Sequence, residues 1–429
     1  MIKKLILILT FTVLLLISQE IDTVWIKGYN TPDARVSFDV GSSIAIDNSG
    51  SNIYIAGSSG LKKLLINYNS QGILKWARSE LSVYSGEGAP LGLTYWNTRI
   101  YYTVCMTHQS NPIFESQIYT FCYDTLGNRI WGQVFGNQYY LDYPVGLFID
   151  NQGYVYVVGT ACFDTTAEDF VLLKYNGNNG NLLWWKRFWS TYDYVLDVTV
   201  SAAISRDSNS IFIGGISSKP NVYKRALIVK YSTNGSLIWS IVNQSCSTLI
   251  KVLPDYSGNL YVLFSENYLV KYNTSGNLIF EIVLPTIEKI NSIFVDENNN
   301  FYVTGSIFNF NNSTQDFLLR KYSSNGSILW EKTYDSGMND EGLIIKGFDN
   351  SLFILCESQQ GKFFLRYSYN GELLNTSKFY LYEYEIADFV ISPTGNEIYS
   401  IGSVPIVSSD WPNDIVTVKY GVPLKRRQK

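Results

Sequence analysis

Short runs of Val, Ile, Leu, Tyr and Phe alternate along the chain with clusters of Asn, Ser, Gly and Asp. Within the runs, apolar and polar residues either alternate at every second position or form short continuous stretches, the marks of half-buried and fully buried strands. Beyond the N-terminal segment, no stretch of about 12 residues carries a helical face. The strand pattern also repeats. An apolar run ending in Tyr, a polar turn with Gly and a strand with Trp recur as Tyr68, Gly72, Trp76; Tyr123, Gly127, Trp131; Tyr175, Gly180, Trp184; and Tyr231, Gly235, Trp239. Later copies are Tyr272, Gly276, Phe280; Tyr322, Gly326, Trp330; and Tyr367, Gly371, Asn375, before a last strand ending at Tyr420. From Tyr68 to Tyr420 the Tyr positions recur about every 50 residues, the length of a four-stranded propeller blade.

Upstream of each such Tyr lies a second hairpin, as in Asp47–Gly50, Asp150–Gly153, Asp255–Gly258 and Asp296–Asn300. Asp opens these turns by accepting from its own backbone, and Gly or Asn tolerates the positive φ that follows. Each unit therefore reads as strand A, a D-x-x-G turn, strand B, a variable loop, strand C ending in Lys-Tyr or its like, a tight turn, and strand D with Trp. The last unit stops after its C-strand at Tyr420, and Thr23, Val24, Trp25, Ile26, Lys27, Gly28 and Tyr29 supply a spare strand near the N-terminus. The predicted fold is all-β: a single β-propeller of eight four-stranded blades, with the N-terminal strand completing the last blade and so hiding a sheet edge. The weakened units 91–131 and 342–375 leave seven blades as the alternative count.

The units resemble the beta-propeller repeat family of bacterial and archaeal surface and secreted proteins, often called SBBP repeats. Asp296, Tyr302, Val303, Gly305, Asp316, Phe317, Leu318, Lys321, Tyr322, Gly326 and Trp330 carry the likeness, as do Asp150, Gly153, Tyr156, Val157, Gly159, Asp169, Lys174, Tyr175 and Trp184. The resemblance spans residues 21–421 and implies a propeller fold in a surface or extracellular setting; it assigns no catalytic residue. The Gly-to-Trp spacing is also similar to the tryptophan-docking motif of eight-bladed quinoprotein dehydrogenases. That resemblance implies a vicinal Cys pair over the cofactor, and none of the five Cys (Cys105, Cys122, Cys162, Cys246, Cys356) are adjacent. Quinoprotein chemistry is kept as a remote alternative.

Composition narrows the function classes. Aromatic residues make up 15% of the chain and charged residues 16%, with a net charge of −4. No basic face stands out, so no nucleic-acid partner is expected. Lys3 and Lys4 followed by the apolar run 5–17 read as a signal peptide over 1–19, too short for a membrane span of roughly 20 residues. An uncleaved anchor is the alternative and the only membrane association expected. The propeller is assigned to 20–421 and a basic tail to 422–429, and the chain is expected to be monomeric and secreted or at the cell surface. Cys105 and Cys122 fall on neighbouring predicted strands, which leaves one disulfide open; otherwise the Cys read as buried apolar side chains.

The catalytic inventory is thin. The one histidine, His108, is placed in a long B–C loop of the second blade, with no nucleophile motif beside it. Asp296-x-Asn298-x-Asn300 opens like a calcium loop, but Phe301 stands where the turn needs Gly. No cofactor is predicted, and calcium lacks support. The more informative feature is the contrast between the two ends of the ring. The A–B and C–D turns are short and monotonous, whereas several D–A segments on the other face are long, aromatic and acidic. Tyr140, Asp142, Tyr143, Tyr192, Asp193, Tyr194, Asp340, Glu341, Tyr382 and Glu383 are the candidate binding residues. Tyr faces beside carboxylate acceptors suit glycans and protein partners alike. The expected function is a non-enzymatic scaffold that binds a protein or glycan of the cell envelope. The alternative is an extracellular glycan hydrolase or lyase, marked by carboxylates from three or more blades converging in the central funnel.

Overall fold

A computed structural model describes residues 19–29, 39–81, 92–110, 113–136, 141–164, 167–189, 196–219, 223–243, 245–246, 248–265, 267–286, 288–377, 384–404 and 415–423. The segment read as a signal peptide, up to residue 18, most of the basic tail and several D–A loops lie outside these residues. All regular elements among them are strands. They form eight antiparallel sheets: blade 1 (39–81), blade 2 (92–135), blade 3 (143–188), blade 4 (196–243), blade 5 (249–283), blade 6 (288–334), blade 7 (340–376) and blade 8 (385–421 with 22–29). The eight-blade count therefore stands, including the two units whose sequence pattern is weak.

In every blade the strands lie in the order A, B, C, D, with A innermost. Burial follows from that position. Strands B and C have neighbours on both sides and both faces, so Ile53, Tyr54, Ile55 and Ala56, or Val155, Tyr156, Val157 and Val158, are continuously buried. The outer D-strands alternate: Trp131 is buried while Ile130 and Val134 are exposed. Seven A-strands carry a β-bulge at the same place, between Gly41 and Ser43 in blade 1 and Ile386 and Asp388 in blade 8, for example. A bulge increases local twist and bends the strand. Blade 2, whose A-strand Gly92–Trp96 is five residues long, pairs without one.

Ring closure matches the sequence reading and adds to it. The strand Asp22–Tyr29 pairs antiparallel with the C-strand Ile415–Gly421, Trp25 opposite Lys419. Ahead of it, Gln19 and Glu20 pair in parallel with Asn375 and Thr376 at the outer edge of blade 7, and the Ile21 N–H donates to the Thr376 carbonyl at 2.8 Å. The N-terminal segment thus bridges blades 7 and 8, with Ile21 buried among Phe364, Phe389 and Tyr420.

Two expectations need correction. His108 does not lie in a long loop: the strand Arg99–Ser110 runs through it and pairs with Ile113–Asp124, His108 opposite Glu115. The polar composition there belongs to the tip of an extended hairpin. Cys105 and Cys122 do sit on adjacent strands, but Cys105 pairs with Ile118 and Cys122 with Tyr101. That offset of four residues is about 13 Å along a strand, beyond disulfide reach, and both are free thiols.

Candidate functional site

The recurring residues meet at one node per blade interface. In blade 6 the Tyr302 hydroxyl donates to Asp296 Oδ2 at 3.0 Å, while Asp296 Oδ1 accepts the N–H groups of Asn298 and Asn300. The Lys321 ammonium and the Trp330 indole N–H both reach across to the Tyr369 carbonyl of blade 7, at 3.0 and 3.2 Å. Lys321 lies 5.0 Å from the centre of the Tyr302 ring, and burial lowers its pKa against the pull of Asp296. The indole then rests on Gly371, where an added Cβ would come within 3.1 Å of the ring. Gly371 has φ +82°, so a side chain there is opposed by backbone as well as by space. The spacing of Asp, Tyr, Lys, Gly and Trp along each repeat is what this node requires.

The closing interface has the same chemistry from three separate stretches of chain. Lys419 pairs with Glu397 at 2.6 Å, and both Lys419 and Trp25 donate to the Ser70 carbonyl of blade 1, at 2.9 and 3.2 Å. Blade 2 departs from the pattern by carrying Cys122 where the lysine stands. Arg99 replaces it, reaching the Gly177 carbonyl at 3.0 Å together with Trp131 at 2.9 Å and Tyr101 at 3.3 Å. Blade 7 carries Asn375 in place of Trp; the blade after it has no C–D turn, because the N-terminal strand fills that place.

Four of the candidate binding residues are described. Asp142 and Asp340 are fully buried. Asp142 Oδ1 accepts the Cys162 N–H at 2.7 Å, and Asp340 accepts the Ser336 N–H at 2.6 Å and its hydroxyl at 2.9 Å. Burial raises the Asp340 pKa, and the Ser336 hydrogen bonds oppose it. Asp39, Asp197 and Glu288 hold the same place, two residues ahead of the bulge, and are buried too. Glu288 is gripped by Arg320 through two bonds of 2.9 Å. These acids belong to the blade framework. Tyr143 and Glu341 come one residue later and are half-buried, on A-strands four blades apart. Burial raises the Tyr143 pKa, the Thr160 hydroxyl working against it. Tyr140, Tyr192, Asp193, Tyr194, Tyr382 and Glu383 lie outside the described residues.

The channel wall at this end is divided. On blades 6 to 8, Lys289 pairs with Glu341 at 2.6 Å, Asn291 donates to Glu341 and to the Gly342 carbonyl, and Lys346 pairs with Asp388 at 2.6 Å. On blades 1, 3, 4 and 5 the positions that match Lys289 and Asn291 are uncharged but mixed: Val40, Val145, Val198, Val200 and Ile250 are apolar, whereas Ser42, Tyr143 and Thr248 are polar. Lys251 of blade 5 adds a third lysine; burial pushes its pKa down to about 8, aided by Lys346 and opposed by Asp388. Among the described residues, the carboxylates on this wall come from blades 7 and 8, and Glu341 and Asp388 are each held by a lysine. No group of three or more His, Cys, Asp and Glu among the described residues is placed to hold a metal.

One feature was missed in the sequence. At the rim of the loop-rich face, Trp185 stacks on Phe163 with centroids 5.1 Å apart and planes 9° apart, and Phe135 of blade 2 packs 5.5 Å from Trp185. Its signal was present as LLWWKRFW, where blade 3 places extra Trp outside the repeat positions.

The geometry defines an eight-bladed β-propeller, closed by its own N-terminus, with its repeat residues committed to blade locking. The fold is similar to the C-terminal WD40 domain of Sif2, at TM-score 0.60 and 10% identity over 95% of this chain and 99% of that one. It is similar to BamB from Moraxella catarrhalis, at TM-score 0.53 and 13% identity over 96% and 100% of the two chains. A quinohemoprotein alcohol dehydrogenase from Comamonas testosteroni aligns at TM-score 0.54 and 9% identity over 96% of this chain and 78% of that one. At such identities the likeness concerns the fold alone. No family model and no curated relative matches the chain.

Proposed function

We propose that the chain is a secreted or cell-surface propeller working as a non-enzymatic scaffold, binding a glycan or protein of the cell envelope on the face that carries its D–A and B–C loops. The observation that supports this is a division of labour. Residues shared by the blades are spent on the interblade nodes around the A–B and C–D turns, where Tyr302 donates to Asp296 and Lys321 and Trp330 both donate to the Tyr369 carbonyl of the next blade. Residues that differ between blades gather at the opposite end, around the channel wall of Lys289, Glu341 and Tyr143 and the rim of Trp185 and Trp189. A rigid frame with one variable face is the usual division between scaffold and binding surface. Lysines 2.6 Å from Glu341 and Asp388 favour binding over acid–base chemistry there.

The test is a screen of the chain lacking residues 1–19 against glycan arrays and cell-envelope extracts. A specific ligand whose affinity falls about tenfold in Tyr143→Ala or Asp193→Ala, a loss of roughly 1.4 kcal/mol, is the expected result. Binding that ignores both substitutions and is lost in Lys75→Glu, at the opposite end of the blades, overturns the choice of face. Cleavage of a bound glycan overturns the non-enzymatic reading.

A further inference from the structure

The outer strand of blade 3, Leu182–Phe188, differs from its seven counterparts. Alternation puts Trp184, Lys186 and Phe188 toward blade 4, where Trp184 and Lys186 cover Gly235. Leu183, Trp185, Arg187 and Trp189 share the other side. At the Trp185 position the other blades carry Ile26, Ala77, Gly132, Ser240, Glu281, Glu331 and Thr376. Blade architecture therefore does not ask for an aromatic residue here. Trp185 and Trp189 are nevertheless 43% and 58% exposed, a large apolar area to leave in water.

The two rings are fixed in place. Phe163 stacks on Trp185, Phe135 closes its edge, and the Arg187 guanidinium lies between Phe163 at 4.8 Å and Trp189 at 5.1 Å. Arg187 is in turn held by the buried Asp169 at 2.5 Å. Such planar groups, held by stacking and a charge-assisted bond, lose little freedom on binding. Trp185 and Trp189 are joined into one row through Phe163 and the Arg187 guanidinium, with successive centres 5.1, 4.8 and 5.1 Å apart, a row longer than one small ligand would cover. Both rings are exposed, so an extended ligand lying along the row suits it better than a compact one. Among the described residues its charged pair, Arg187 with Asp169, is neutral as a unit.

From this we infer that the Trp185–Arg187–Trp189 strip is a binding platform for an extended, uncharged, β-linked polysaccharide. The C–H faces of pyranose rings carry partial positive charge and lie against the electron-rich faces of indoles. Equatorial β-linkages keep successive rings in a flat ribbon that can contact both tryptophans, and ring hydroxyls can accept hydrogen bonds from the partly exposed Arg187 guanidinium. The inference rests on the proposed binding face and gives it a site and a ligand class.

Titration of the chain lacking residues 1–19 with β-1,4-linked glucose and N-acetylglucosamine hexasaccharides, followed by calorimetry and Trp fluorescence, tests it. The expected result is saturable binding to at least one of them, with a blue-shifted Trp emission. Trp189→Ala should weaken that binding at least tenfold and leave Tm unchanged, since the residue is exposed and lies just beyond the end of the strand. Trp185→Phe should weaken it less than Trp185→Ala. Absence of saturable binding to both hexasaccharides, or saturable binding of a proline-rich decapeptide in their place, overturns the inference. Hexasaccharide binding that survives Trp189→Ala but falls with Tyr143→Ala overturns the platform while sparing the wider face.

Discussion

Replacing Trp131 with alanine removes the key group of the lock between blades 2 and 3. The side chain is 7% exposed and packs against Tyr101 and Tyr175, with ring centroids 6.0 and 6.3 Å away. Its indole covers Gly180 so closely that an added Cβ there would come within 2.6 Å of the ring. The backbone of that turn has φ +76° and is tied to Asn176 at 2.8 Å, so it cannot readily collapse into the space left behind. A truncation of this kind costs about 3–5 kcal/mol. The lost indole bond adds little, because the Gly177 carbonyl keeps Arg99 at 3.0 Å and Tyr101 at 3.3 Å as donors. Trp131→Phe retains most of the contact and should cost about 1–2 kcal/mol, in line with Phe280 occupying the same position against Gly326 in blade 5. Urea unfolding followed by both fluorescence and far-UV circular dichroism checks this. The expected midpoint order is wild type, then Phe, then Ala, with coincident transitions. An alanine variant within about 1 kcal/mol of wild type, or a phenylalanine variant as damaged as the alanine one, refutes the lock as drawn.

Deleting residues 19–29 should uncover the edge of the strand Ile415–Gly421 and remove the shared donors to Ser70, giving oligomers or aggregates in size-exclusion chromatography; a stable monomeric product contradicts the closure. Lys251→Met should stabilise the protein near neutral pH. Burial and Lys346 depress the lysine to about 8, below its ordinary value, so the unfolded chain binds the extra proton between about pH 8 and 10.5 and wild-type stability rises across that window. The variant should lead by about 2 kcal/mol at pH 7, with water in the channel softening the full effect, and lose its lead near pH 10.5; a lead that does not vary with pH refutes the assignment.

The nodes were legible because most of their residues stand at fixed offsets along the repeat, and most blades state the rule again, Asn67, Cys122 and Asn375 being departures from it. Trp131, Gly180 and Lys321 could be placed before the fold was known. The candidate site was less legible. Asp142 and Tyr143 are adjacent in sequence and both suit a binding loop, yet one is buried under the Cys162 N–H and the other is half-exposed on the A-strand. Strand alternation separates them, and its phase is set by a bulge that starts at Pro144. The same holds for Asp340 and Glu341.

By itself, the sequence determined the strand period, the length of the blades and the closing strand at Trp25, and it favoured eight blades over seven, a count that the sheets then settled. Each of these is written in local patterns of burial and turn chemistry. Only the tertiary structure decided which acids are framework and which face the channel, that Lys251 and Lys346 share a wall with Asp388, and that Trp185, Phe163 and Phe135 meet across two blades. Those relations depend on how sheets are turned and set side by side around the ring, and residues from different blades carry no common spacing in the chain that would announce them.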